Sequence, residues 1–276
     1  KFDMSALDRL MEMKKLYGFE ILTVAGGMDF VERDGKNDCK IPAWLKTRCR
    51  SLDFRELHRK AFLPPLDAWR HYIKALAEHG KGTLKYYEIM NEPNIIFPFS
   101  SQEEYLPYLK VAYEEIKAVD PEARVVGLCN TSDMGGRMVP FFETSFKGGA
   151  LNFLDIISFH PYSSPELASE LPADSNIEEI KKLLEGYRSK KYPLWNTELY
   201  YLHESPRGAS PDERASLEAY HAAWRFLTDL GEGLSQSMPL HASQLVGKDN
   251  VPHPAYVVYN TLARHFEGAK PVAKIK

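Results

Sequence analysis

Apolar positions along the chain alternate between two periods, and the alternation predicts strand–helix units almost from end to end. Leu7, Leu10, Met11 and Leu16 stand at mostly helical spacing over 5–17, and Gly18 stops that helix. Phe19-Glu20-Ile21-Leu22-Thr23-Val24-Ala25 reads as a strand ending at Gly26-Gly27, followed by a long polar loop that holds Trp44. A helix over 66–79, closed by Gly80 and Gly82, precedes the strand that leads to Glu92. Ser101 and Glu104 have capping-box spacing for a helix with the apolar face Tyr105, Leu109, Ala112, Tyr113 and Ile116, ended by Asp120-Pro121. Beyond it the pattern gives a strand from Arg124 to Cys129, a helix over 137–147 and a strand from Phe153 to Phe159. A helix over 176–189, the strand ending at Glu198, a helix over 211–230, a last strand within 234–242 and a helix over 254–266 complete it.

Roughly six such units, without internal repeat or low-complexity linker, predict an α/β fold with a parallel sheet and helices outside it. Residues 1–276 are expected to form a single domain, a length that α/β barrels reach as one unit. A doubly wound open sheet is the alternative. It lacks its chemistry here, because no G-x-G-x-x-G fingerprint follows the first strand.

Composition narrows the classes. The 276 residues are 44% hydrophobic and 26% charged, enough for a sizeable core. The net charge of −3 gives no support to a nucleic-acid or membrane-surface partner. No apolar run reaches the length of a membrane span, and no signal-peptide pattern is visible. Cys39 and Cys49 lie in one polar stretch and either pair or remain thiols, whereas Cys129 belongs to an apolar run and reads as buried. A Cys39–Cys49 bridge would point to an oxidising compartment, secreted or periplasmic. No His/Cys cluster has zinc spacing, so no metal is expected; no organic cofactor is expected either.

The candidate chemistry lies in two glutamates, each closing a strand-like run. Glu92 closes Tyr86-Tyr87-Glu88-Ile89-Met90-Asn91-Glu92-Pro93, and Glu198 closes Leu194-Trp195-Asn196-Thr197-Glu198. In a parallel α/β barrel the carboxyl ends of the strands are where catalytic groups gather. A pair of carboxyls at one glycosidic bond is the equipment of a glycoside hydrolase. Acids at strand ends also serve as caps or ion-pair partners, so either glutamate alone is weak grounds.

These segments resemble the clan A glycoside hydrolases, the retaining (β/α)8-barrel glycosidases, in the manner of families 39 and 5. Tyr87 to Asn94 is similar to the clan's strand-four signature, and the run ending in Glu198 is similar to its strand-seven end. Phe159-His160-Pro161-Tyr162 resembles the strand-six end, and Ile41-Pro42-Ala43-Trp44 the loop after strand three. The resemblance implies a TIM-type (β/α) barrel that is incomplete, carrying strands three to eight of eight. It implies double displacement on a β-linked oligo- or polysaccharide, with Glu198 as nucleophile and Glu92 as acid/base. The clan's strand-two arginine and strand-eight tryptophan have no counterpart, and His241 stands near the latter's place.

Asn91 is expected to bond a sugar 2-hydroxyl, with a turn role as the alternative. His160 and Tyr162 are expected to orient the nucleophile or bond sugar hydroxyls; a hydrogen-bonded core histidine is the other reading. Trp44 is a stacking candidate, Tyr200 lines the pocket or merely packs, and Trp195 reads as core. Absence of two barrel strands would leave open edges, so a homodimer covering that side is expected. A carbohydrate-binding pseudoenzyme and an assembly role are the rival readings.

Overall fold

The computed structural model describes residues 2–26, 31–33, 41–54, 59–94, 102–131, 138–162, 173–187, 191–199, 210–239 and 245–269. The first helix, α1, spans Ser5–Tyr17 and ends at Gly18, whose positive φ of 73° is the left-handed cap that a glycine adopts without penalty. Strand β1 is Leu22–Ala25. The stretch read from sequence as a polar loop instead carries β2 (Val31–Arg33), a short helix α2 (Ala43–Lys46), β3 (Arg50–Phe54) and β4 (Arg59–Leu63). These strands form a separate antiparallel sheet ordered β2-β4-β3. Its small core is Ile41 and Phe62 with Leu45 and Cys49 packed against them. Short strands dense in charge conceal the period-2 signal, which explains the difference.

Helix α3 (Leu66–Gly80) buries Trp69, Ile73, Leu76 and Ala77, one stripe at helical spacing. It ends where β5 (Tyr86–Ile89) comes close: a Cβ on Gly80 would lie 2.5 Å from the Tyr87 hydroxyl. Then follow α4 (Gln102–Val119), β6 (Arg124–Thr131), α5 (Met138–Lys147), a 3-10 turn at Ala150–Phe153 and β7 (Ile156–His160). Helix α6 (Ala173–Glu185), β8 (Leu194–Leu199), α7 (Pro211–Gly231), β9 (Gln236–Pro239) and α8 (Pro254–Phe266) complete the order.

Six strands form one parallel sheet ordered β1-β5-β6-β7-β8-β9, the sequential order of a (β/α) barrel. The fold is therefore an α/β, TIM-type one with six barrel strands among the described residues. The chain has two compact units. The first comprises Lys1–Asn130 and Pro140–Ile157, the second Thr131–Val139 and Ser158–Lys276. In the second unit Ser210 and Glu213 make a full capping box with Pro211 in the first turn of α7. The capping box read at Ser101 lies outside the described residues. Among the described residues no helix is long and apolar enough to cross a membrane.

Candidate active site

In the first unit the chain leaves β5 by an unusual route. Met90 and Glu92 have positive φ, 63° and 44°, a region that non-glycine residues seldom enter. Backbone bonds hold it there: Met90 N–H to the Ala25 carbonyl at 2.9 Å, and Glu92 N–H to the Cys129 carbonyl at 3.1 Å. Strain of this kind persists only where the surroundings over-determine it, and it gathers at functional sites. Glu92 is buried and Asn91 half-buried, with Asn91 Oδ1 accepting from Cys129 Sγ at 3.8 Å.

Glu88 lies four residues earlier, within β5, and is also buried. Burial, reinforced by the Glu88 carboxylate, holds the Cys129 thiol well above its ordinary value of 9.0. Because the folded value is the higher one, Cys129 contributes stability below 9.0 that is lost as pH climbs beyond it. At about pH 8, iodoacetamide is expected to leave Cys129 unmodified in the folded protein and to label it in urea. Peptide mapping by mass spectrometry reads this, and rapid native labelling would contradict it.

In the second unit β7 ends at His160, and Tyr162 turns back so that its N–H meets the His160 carbonyl at 2.9 Å. The Tyr162 hydroxyl donates to Glu198 Oε1. His160 is fully buried, with Nδ1 3.9 Å from Glu198 Oε2. The hydroxyl and the neighbouring imidazole hold this carboxylate in one orientation.

Strand β8 is built to aim this acid. Asn196 and its lateral neighbour Ser237 both donate to Asp229 Oδ2 of α7, at 2.8 and 2.6 Å. With unbroken alternation Glu198, two residues on, would face α7 as well. The register shifts between Asn196 and Leu199, however, where three steps on β8 match two on β9. That one-residue bulge releases Glu198 from the Asn196 face, so that it meets Tyr162 and His160.

Of the remaining candidates, Trp44 is 69% exposed on α2, and Trp195 is buried, as a core residue would be. Tyr200 and His241 lie outside the described residues. Sequence reasoning missed Asp229, which is buried and paired with Arg225. An Asp–Arg pair at i, i+4 spacing inside an otherwise amphipathic helix was the available signal.

No protein-family model matches the chain. A curated relative, the beta-xylosidase of Caldicellulosiruptor saccharolyticus, is 29% identical over 291 residues, covering 90% of this chain and 57% of that protein. Among solved structures, a GH39 beta-xylosidase from Caulobacter crescentus matches with a TM-score of 0.62 at 19% identity, over 95% of this chain and 58% of the other. The GH39 enzyme from Xanthomonas axonopodis pv. citri matches with a TM-score of 0.65 at 18% identity, over 96% and 55%. The chain thus spans a little over half the length of these relatives. It is similar in sequence to a beta-xylosidase and similar in fold to GH39 enzymes.

Proposed function

We propose that this protein is a retaining β-glycoside hydrolase acting on β-xylosides or related β-linked glycans. The observation that carries this reading is the aimed carboxylate of Glu198, bonded by Tyr162 and turned off the Asn196 face by the bulge. The xyloside preference follows the curated relative, a beta-xylosidase. Glu198 attacks the anomeric carbon and forms a glycosyl-enzyme, while Glu92, buried after β5, protonates the departing oxygen. The Glu92 carboxylate left behind then takes a proton from water as that water displaces the sugar. Asn91 offers its amide to the 2-hydroxyl, a contact that strengthens in the transition state.

A 2-deoxy-2-fluoro-β-xyloside with a good leaving group tests the assignment. The fluorine slows both steps, and the leaving group keeps the first one fast enough to trap the intermediate. Peptide mapping is expected to find the fluorosugar on the peptide carrying Glu198. A label elsewhere, or none with xyloside turnover intact, would defeat the nucleophile assignment. Sugar binding with neither label nor turnover would identify a carbohydrate-binding pseudoenzyme instead.

A further inference from the structure

Tyr105, in the first turn of α4, is fully buried, and no step of the reaction uses it. Its hydroxyl donates to the Ile89 carbonyl at 3.1 Å and accepts from the Leu128 N–H at 3.1 Å. Both partners matter for the strand end that bears Glu92. Ile89 is the last residue of β5, three positions before that acid. Leu128 and the following Cys129 have φ of 78° and 41°, a second pair of non-glycine residues in the left-handed region. The β5–β6 register reaches only to Glu88 opposite Val126, and beyond it the Leu128 N–H meets the phenol. The positive-φ backbone at Leu128–Cys129, inside β6, then presents the Cys129 carbonyl to the Glu92 N–H at 3.1 Å.

One hydroxyl therefore ties the strand that carries the acid to the strand whose carbonyl holds the acid's backbone. Buried donors and acceptors left without partners are costly, so the tie is strongly specified. The ring is seated independently, tilted against Phe141 at 5.8 Å between centroids. Burial also raises the phenol's ionisation well above the ordinary tyrosine value, so it stays a donor throughout the working pH range.

We infer that Tyr105 is a positioning residue for proton donation: its hydroxyl fixes the left-handed backbone at Leu128–Cys129 and, through it, the carboxyl of Glu92. The inference rests on Glu92 being the proton donor. A displacement of about 1 Å at a reacting group can cost on the order of 100-fold in rate. That cost falls on substrates whose leaving group needs the proton and spares those whose leaving group departs unaided.

Tyr105→Phe keeps the ring and removes only the hydroxyl. It is expected to lower kcat/KM on an alkyl β-xyloside about 10- to 100-fold and on 2,4-dinitrophenyl β-xyloside by less than about 3-fold. The ratio of the two values cancels the concentration of folded enzyme, so partial unfolding does not obscure it. Equal losses on both substrates, or no loss, would overturn the inference. Glu92→Gln is measured alongside: without leaving-group dependence in that variant, the assignment of Glu92 itself fails. Dependence in Glu92→Gln but not in Tyr105→Phe defeats the Tyr105 inference alone. Should the phenylalanine variant not fold at all, an amide-to-ester replacement at Leu128 removes the N–H partner while keeping every side chain and reads the same ratio, with the same two outcomes.

Discussion

Glu198→Gln is expected to lower kcat on aryl β-xylosides by on the order of 10⁴- to 10⁶-fold, because no other group forms the glycosyl-enzyme. Glu92→Gln is expected to lose about 10²- to 10⁴-fold on substrates with poor leaving groups and much less on activated ones. Azide separates the two variants by stereochemistry. In Glu92→Gln the glycosyl-enzyme still forms on an activated substrate, and azide replaces the water that has lost its base. Rate is restored and the product is the β-azide, the outcome of two inversions. In Glu198→Gln a single displacement gives the α-azide. Gas chromatography or NMR of the product reads the configuration. Rescue of Glu92→Gln to an α-azide, or of Glu198→Gln to a β-azide, would show the roles reversed.

The second large effect is on stability. Asp229→Ala removes the carboxylate that receives Asn196, Ser237 and the Arg225 guanidinium. Arg225 is almost wholly buried, and a buried charge that loses its partner costs about 3–5 kcal/mol. For a chain of this size that corresponds to a fall of roughly 10 °C in Tm. Replacing both partners, Arg225→Met with Asp229→Leu, is expected to recover much of the loss, since no charge is then left to desolvate. Thermal unfolding followed by circular dichroism measures both variants. A double variant as unstable as Asp229→Ala would place the cost in the lost bonds to β8 and β9 instead.

The barrel elements were legible because their periods are long and their stops chemical. The pattern over 5–17 ending at Gly18, and that over 66–79 ending at Gly80, match α1 and α3 nearly residue for residue. The antiparallel sheet of β2, β3 and β4 was not legible: its strands are three to five residues long and each carries two charged residues, too short for alternation to rise above the polar background. Of the candidate site, residue types at strand ends could be read, including Glu92, His160 and Glu198. What holds them could not. The tie through Tyr105 joins residues far apart in the chain, and the amphipathic pattern of α4 accounts for that tyrosine as plain packing. The β8 bulge is invisible because Asn196, Thr197 and Glu198 alternate no differently from a regular strand.

That bulge makes the length of β8 more consequential than its composition. Side-chain direction in a strand is a matter of parity, and the one-residue mismatch between Asn196 and Leu199 is an odd count set into an even pattern. Many substitutions at Thr197 leave the count unchanged. Deleting Thr197 removes the extra residue, and Asn196 and Glu198 then fall on adjacent positions, on opposite faces of a regular strand, with no bulge needed to part them. Natural variation in this segment is accordingly expected to lose Thr197 and the bulge together, because a regular strand that kept Thr197 would return the acid to the Asn196 face.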